Sequence, residues 1–436
     1  MTTGSRAVLI AAVIVLAVAL VVLVGLLTPW RPLSLHGMEG VHVDPSRDFT
    51  AAQLAREDAY HSAVRPPAYV SLGLSLLIAC GLGFSPLGAR LVGRVAAPFG
   101  GGWGWQVLIG TVAVTLLGRL LVLPWDAWSE SVRRRYGLST RTWGGWAVDV
   151  GKSYAVGLVL TLVVLLAIVG LVRWSPQWWW AVGAALGAAL VVAVSFAYPV
   201  VVEPVFNKFT SMPDSELRTS LLALAREDDV LVEDVLVADA SRRTSSLNAY
   251  VSGIGATRRI VVYDTLVESA PPDQVRLIVA HELGHAKSRD VVSGTLMGAL
   301  GVALVVCLLA LLARSQPLLG HVGVSSLGDG RAVAFALAVL AVLGFVSGPV
   351  QALVSRRIET RADLHALDLT RAPAPAIAMQ QRLSTTNLSD LDPSPLVFGM
   401  FSTHPTGPQR IALARTWARL HDVSVPASTV PPSIAP

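Results

Sequence analysis

The stretch with the clearest capacity for chemistry is His281-Glu-Leu-Gly-His285. Residues four apart in a helix lie on one face, so these two histidines can bind one metal ion together. Glu282 projects beside them, where it can take a proton from water at that metal. A chance match to this pattern is rare in a chain with nine histidines, and the motif therefore predicts a zinc hydrolase.

A catalytic zinc site needs three protein ligands and one open position. Glu359, within residues 355–363, is the best candidate for the third ligand, and the alternative is a solvated glutamate among neighbouring arginines. Asp363 lies one turn further along the same face, where it could accept a proton from the outer nitrogen of a ligand histidine. An ordinary salt bridge explains Asp363 equally well. His404 is a lone histidine whose surroundings in the sequence favour a structural role over a catalytic one.

The composition is that of a polytopic membrane protein. Hydrophobic residues make up 53% of the 436 residues, charged residues only 14%, and the mean hydropathy is +0.59. The net charge of +5 is spread over loops without a long basic run, so no nucleic-acid partner is expected. Cys80 and Cys307 both fall in apolar runs, which argues against a disulfide framework and against metal binding by either.

Apolar runs of membrane length predict seven transmembrane helices, five in a membrane domain over residues 1–202 and two within 291–349. The stretches 28–67 and 126–152 are predicted to be polar loops, the first with at most one short helix. Arg119, inside the third span, suits either a snorkelling side chain or an internal cavity. The predicted spans are 7–27, 68–84, 105–125, 154–172, 178–201, 291–313 and 332–349.

The remaining segments, 203–290 and 350–421, are predicted to be soluble, and the Pro/Ser-rich end, 422–436, to be disordered. Periodicity indicates a helix over 214–226 and strands over 230–238 and 259–263. Pro271 and Pro272 then open the helix that carries the histidine motif. The predicted fold is therefore mostly α, with a small α/β metallopeptidase unit of the zincin (gluzincin) type.

Charge in the short loops predicts the orientation in the membrane. The 28–67 and 126–152 segments hold four and five Lys or Arg residues, more than the connections on the other side. The positive-inside rule then places 203–290 and the C-terminal segment in the cytoplasm. Because the two spans between His285 and Glu359 return the chain to its starting side, the metal is expected close to the cytoplasmic membrane surface.

Several stretches together resemble the integral-membrane type I CAAX prenyl proteases. Besides HELGH and SRRIETRAD, they are RRRYGLSTRTW (133–143), EPVFNKFT (203–210), SSLNAYVSGIGATRRIVVYDTLVE (245–268), TNLSDLDPSPLV (386–397) and STHPTGPQRI (402–411). The similarity runs in order from about Phe49 to Arg415. It implies seven spans enclosing a large chamber, capped by a zinc peptidase domain.

The resemblance also implies a role for each matching residue. One departure is Arg361, where many relatives carry an acidic residue, and it bears only on local electrostatics. The implied roles are zinc binding by His281, His285 and Glu359, general base and acid catalysis by Glu282, oxyanion stabilisation by His404, binding of the substrate backbone by Asn248, support of a ligand by Asp363, and a substrate-side role for Arg410.

We therefore expect a zinc-dependent, membrane-embedded metalloendopeptidase, surrounded by membrane lipids and acting on peptides or proteins, including lipid-modified ones. The run 259–263 could pair with an extended substrate by strand addition. One alternative is a bacterial quality-control protease of the heat-shock type, whose usual four spans differ from the seven here. Another is a non-catalytic, zinc-stabilised scaffold, in which Glu282 would be unnecessary.

Overall fold

The computed structural model describes residues 3–30, 43–253 and 255–426. Its described α-helices are α1 (Thr3–Leu27), α2 (Ala51–Gly83), α3 (Pro86–Ala96), α4 (Trp103–Arg135), α5 (Trp143–Trp174), α6 (Trp179–Ala197), α7 (Glu203–Phe206), α8 (Glu216–Glu227), α9 (Asp264–Ser269), α10 (Pro272–Lys287), α11 (Asp290–Leu312), α12 (Gln316–Val322), α13 (Val333–Thr370), α14 (Pro373–Thr386), α15 (Pro395–Phe401) and α16 (Gly407–Leu420). Within the described chain, seven helical segments are long and apolar enough to cross a membrane. They contain α1, α2, α4, α5, α6 with its continuation into α7, α11 and α13, so the predicted seven spans are confirmed.

Two predicted polar loops are wrong in extent. Residues 51–67 belong to α2, which begins after Thr50 in a capping box and continues through Pro66 and Pro67. Likewise α4 continues to Arg135 and α5 begins at Trp143, which reduces the loop of 126–152 to residues 136–142. Hydropathy detects only the apolar part of a membrane helix, whereas these helices extend into polar sequence beyond it. Of the predicted disordered tail, residues 427–436 lie outside the described chain.

Arg119 forms an ion pair with an aspartate of its own membrane helix. Its Nη1 donates a hydrogen bond of 2.5 Å to Asp126 Oδ2 on the same helix. Asp126 Oδ1 also accepts a hydrogen bond of 2.9 Å from Ser71 on α2. Asp126 therefore balances the charge of Arg119, and the hydrogen bond from Ser71 links this ion pair to α2.

The peptidase part contains a four-stranded sheet of β1 (Phe209–Ser211), β2 (Asp234–Ala238), β3 (Ala249–Ser252) and β4 (Arg259–Tyr263), in the order β1-β2-β4-β3. β2 and β4 are parallel, and the outer pairs are antiparallel. The predicted strand at 259–263 is confirmed as β4, whereas the strand predicted over 230–238 is present as β2 only from Asp234 onward. The prediction that 259–263 pairs with a substrate is wrong, because β4 is already bonded to a strand on each side.

Helix α10 packs closely against α13. A Cβ on Gly284 would lie only 3.0 Å from the ring of His365, so a larger residue there would require the His365 side chain to shift by a few tenths of an ångström. His365 Nε2 donates to the buried carboxylate of Asp228 at 2.9 Å, and Lys287 Nζ donates to the same carboxylate at 2.7 Å. This shared partner fastens α10, α13 and the end of α8 together, which gives His365 a structural role.

Candidate metal centre and active site

Three candidate ligands converge between α10 and α13. His281 and His285 lie one turn apart on α10, and their Nε2 atoms are 3.2 Å apart. Glu359 on α13 places Oε2 3.2 Å from His281 Nε2 and Oε1 3.6 Å from His285 Nε2. One ligand atom from each of the three residues lies within 4.8 Å of the others. The structure thus brings together the three residues that the sequence analysis combined.

Carboxylates hold the outer nitrogens of both histidines. His281 Nδ1 lies 2.9 Å from Asp363 Oδ1, and His285 Nδ1 lies 2.9 Å from Asp290 Oδ2. Because a carboxylate only accepts hydrogen bonds, each Nδ1 carries the proton and each Nε2 presents a lone pair. Sequence reasoning missed Asp290, although its position five residues after His285 was a signal. Arg289, in the left-handed conformation with φ of 56°, lies between the two helices and precedes Asp290.

The residues present fit a metal ion. Glu359 Oε2 is buried and accepts no hydrogen bond from any described residue. The two facing Nε2 lone pairs cannot hydrogen-bond to one another, and both lie near the same carboxylate. A cation satisfies all three groups at once, and two histidines with one glutamate are a ligand set found in catalytic zinc sites.

Each supporting aspartate is paired with an arginine. Arg410 Nε donates to Asp363 Oδ2 at 2.8 Å, and its Nη2 bonds the other carboxylate oxygen. Burial alone would lower the pKa of Arg410, but the charge and hydrogen bonds of Asp363, together with the charges of Glu359 and Glu282, outweigh it and raise that pKa. On the other side, Arg361 forms an ion pair with Asp290. The departure at Arg361 noted from the sequence therefore has a direct partner beside His285.

The remaining predicted site residues line one cavity of about 420 Å³, beside the ligands. Glu282 lies on its wall, and burial raises the pKa of its carboxyl above the usual value. His404 Nε2 is 3.3 Å from Glu359 Oε2, while His404 Nδ1 and Thr403 Oγ1 are 2.9 Å apart. Asn248 enters the wall immediately before β3. The cavity is therefore lined by a carboxyl group, an imidazole and an amide beside the candidate ligands.

Asn387 is a further residue of this wall that sequence reasoning left without a role. Its Oδ1 accepts a hydrogen bond of 2.9 Å from Leu247 N, and its Nδ2 donates one of 3.1 Å to Leu247 O. The side chain thus holds the backbone next to Asn248 in the way a paired strand would. The signal was present, since Asn387 lies in the stretch TNLSDLDPSPLV used for the family resemblance.

Comparison with known proteins defines the class as a membrane metallopeptidase. The model of the CAAX prenyl protease N-terminal domain, described as five membrane helices, matches residues 50–208, and that of peptidase family M48 matches 211–418. The chain belongs to the CAAX prenyl protease family. It is an integral, multi-pass membrane metalloendopeptidase with a metal cofactor, and it acts on a peptide or protein.

Individual relatives match over most of their length. The uncharacterized metalloprotease YhfN of Bacillus subtilis is 27% identical over 86% of this chain and 88% of its own. CAAX prenyl protease 1 of Saccharomyces cerevisiae is 28% identical over 70% of this chain and 72% of its own. The crystal structure of S. mikatae Ste24p shares the fold, with a TM-score of 0.76 at 21% identity, covering 95% of this chain and 100% of that one.

Replacing Glu359 tests the ligand set. We expect Glu359→Ala to lose most of its bound metal, because two histidines alone leave the ion with one protein ligand fewer. Metal per protein, measured by mass spectrometry after purification in detergent, should fall at least about tenfold in the presence of a weak chelator. The exposed Glu268→Ala should keep full metal content. Full occupancy in Glu359→Ala would remove Glu359 from the ligands.

Proposed function

We propose that the chain hydrolyses peptide bonds with one zinc ion held by His281, His285 and Glu359. The observation that carries this proposal is the convergence of two Nε2 lone pairs and one buried carboxylate, each histidine being oriented by its own aspartate. When bound there, zinc polarises the scissile carbonyl and makes water more acidic, towards a pKa of about 7.

In this proposal Glu282 moves the proton. Its carboxyl follows His281 in the chain and faces the same cavity, and its raised pKa makes it a stronger base than an exposed glutamate. It takes the proton from the attacking water and later gives it to the departing amine. His404, which lines the same cavity, donates a hydrogen bond to the oxygen on which negative charge develops.

The substrate is proposed to bind as an extra strand at the edge formed by β3. Within the described chain, β3 is bonded on one side only, to β4. Asn248 precedes this edge, and its carbonyl accepts a hydrogen bond of 3.0 Å from Tyr263 N, which fixes its backbone. The Asn248 side chain is then available to a substrate amide, and an extended backbone could add to β3.

Changing the base without changing the ligands tests the chemistry. Glu282→Gln preserves size but removes the proton acceptor, so zinc content should stay at wild-type level. The rate of cleavage of fluorescein-labelled casein should fall at least about a hundredfold. The exposed Glu268→Gln serves as the matched control. Unchanged cleavage by Glu282→Gln would contradict the proposed mechanism.

We further propose that the substrates are peptides presented at the membrane surface, including lipid-modified ones. Asp290, the first residue of α11, follows His285 by only five positions, so the candidate site lies close to the start of a membrane helix. The relative from Saccharomyces cerevisiae carries prenyl protease in its name, which supports a lipid-modified substrate by similarity.

Matched peptides test this preference. An internally quenched peptide with an S-farnesylated cysteine should be cleaved by enzyme in liposomes with a KM about tenfold below that of the unmodified peptide, because the lipid anchors it to the bilayer. The same comparison in detergent separates recognition by the protein from concentration in the membrane. Equal KM values for the farnesylated and the unmodified peptide, in liposomes as well as in detergent, would contradict the proposal.

The peptidase part is proposed to face the cytoplasm. The basic ends of α2 and α4 lie beside it, since Arg56 Nη2 donates to Tyr136 O at 3.2 Å and the loop 136–142 bonds to residues 241–245. The positive-inside rule places such Arg-rich helix ends in the cytoplasm.

Reporter fusions test this orientation. Green fluorescent protein joined to the C-terminus should fluoresce in a bacterial host, whereas alkaline phosphatase at the same position should be inactive. The reverse pattern would place the peptidase part on the other side of the membrane.

A further inference from the structure

The loop between α4 and α5, which we call the membrane loop (residues 136–142), is bonded to a segment of the peptidase part a hundred residues later. That segment, the approach segment (residues 241–247), leads directly into Asn248. Ser139 and Thr244 form an antiparallel β-bridge. The flanking hydrogen bonds are Thr140 N to Arg243 O (3.2 Å), Thr140 Oγ1 to Ser241 O (2.7 Å), Ser245 N to Leu138 O (3.3 Å), Thr244 Oγ1 to Leu138 O (3.0 Å) and Ser245 Oγ to Gly137 O (2.7 Å).

The membrane loop is itself held by a buried carboxylate in the last turns of α4. Glu130 is 2% exposed, and its Oε1 accepts a hydrogen bond of 2.5 Å from Ser139 Oγ. Its Oε2 accepts one of 2.7 Å from Arg141 Nη2. Both donors belong to the membrane loop, so Glu130 ties the loop to α4.

Ion pairs connect the same network to the approach segment. Arg141 Nη1 lies 3.6 Å from Asp149 on α5, and Asp149 Oδ1 accepts a hydrogen bond of 3.1 Å from Arg243. Arg243 is part of the approach segment. Glu130, Arg141, Asp149 and Arg243 therefore form a chain of alternating charges from α4 to the residues just before Asn248.

We propose that Glu130 is a positioning residue for substrate binding, acting through the membrane loop on Asn248. The inference rests on the proposed role of Asn248 in binding the substrate backbone. The metal ligands lie on α10 and α13, outside this network, so a change at Glu130 should alter the binding of substrate and leave the metal and the chemical step in place.

Glu130→Gln removes the charge while keeping the size. With fluorescein-labelled casein we expect the apparent KM to rise about fivefold and kcat to stay within about twofold, because a charge-assisted hydrogen bond to Arg141 is lost without touching the ligands. Zinc content should be unchanged. The exposed Glu227→Gln on α8 is the matched control and should keep both constants. Ser139→Ala removes only the hydrogen bond to Glu130 and should raise KM by a smaller factor. If Glu130→Gln does not fold, the KM of Ser139→Ala tests the positioning role instead.

A rescue separates positioning from general loss of stability. Ser139 and Thr244 face each other across the β-bridge, where Cα atoms are about 5 Å apart in antiparallel pairs, a distance that a disulfide can span. Adding Ser139→Cys and Thr244→Cys to Glu130→Gln should restore KM under oxidising conditions and lose it again on reduction.

The outcomes distinguish this inference from the proposed function. Unchanged KM in Glu130→Gln, or equal losses of zinc and kcat that the disulfide does not restore, would overturn the positioning role. Asn248→Ala provides the separate arm: if it leaves KM unchanged while Glu282→Gln still abolishes cleavage, the proposed role of Asn248 fails and the peptidase chemistry stands.

Discussion

The contact between α10 and α13 is the constraint on which the rest of the structure depends. Its register sets whether the two histidines meet Glu359, and Gly284 allows the approach because a Cβ would meet the His365 ring. α13 is one continuous helix of 38 residues, roughly 57 Å long at 1.5 Å per residue. Because its first part is a membrane span, the position of Glu359 is fixed relative to the bilayer as well as to α10.

The electrostatics of the site are nearly symmetrical about the two histidines. His281 is followed outward by Asp363 and Arg410, and His285 by Asp290 and Arg361. An unpaired buried carboxylate costs several kcal/mol, so the buried Asp363 needs a cation as well as a histidine proton. Burial alone would raise the pKa of Asp363, but Arg410 and His281 together hold that pKa well below its usual value. Each aspartate accepts the Nδ1 proton of its histidine and so favours the tautomer that presents Nε2.

The sequence was sufficient for features that depend on local pattern or on counting. HELGH placed two histidines on one helical face, and two apolar runs between His285 and Glu359 implied that the ligands return to one side. It was not sufficient where tertiary contacts decide. The pairing of β4 on both sides, the role of Asp290 and the hold of Asn387 on Leu247 each depend on which distant segment lies alongside. The polar ends of α2 and α4 were missed because hydropathy identifies only the apolar, membrane-length part of a helix.

The two sides of the cavity are therefore held by different parts of the structure. Its metal side rests on α10 and α13, whereas its substrate side rests on helices of the N-terminal membrane domain. Leu388, next to Asn387, adopts a left-handed conformation with φ of 47° and is buried against Tyr60 of α2 and Val132 of α4. His61 of α2 also lies 2.9 Å from the Leu388 carbonyl oxygen. Asn387 holds the Leu247 backbone from one direction, and the membrane loop holds the rest of the approach segment from another. Because Leu388 packs on α2 and α4 and Glu130 of α4 holds the membrane loop, the shape of the proposed substrate cleft depends on the membrane domain. In the proposed function the peptidase part supplies the chemistry, and the packing of the N-terminal membrane helices determines how a substrate is presented to it.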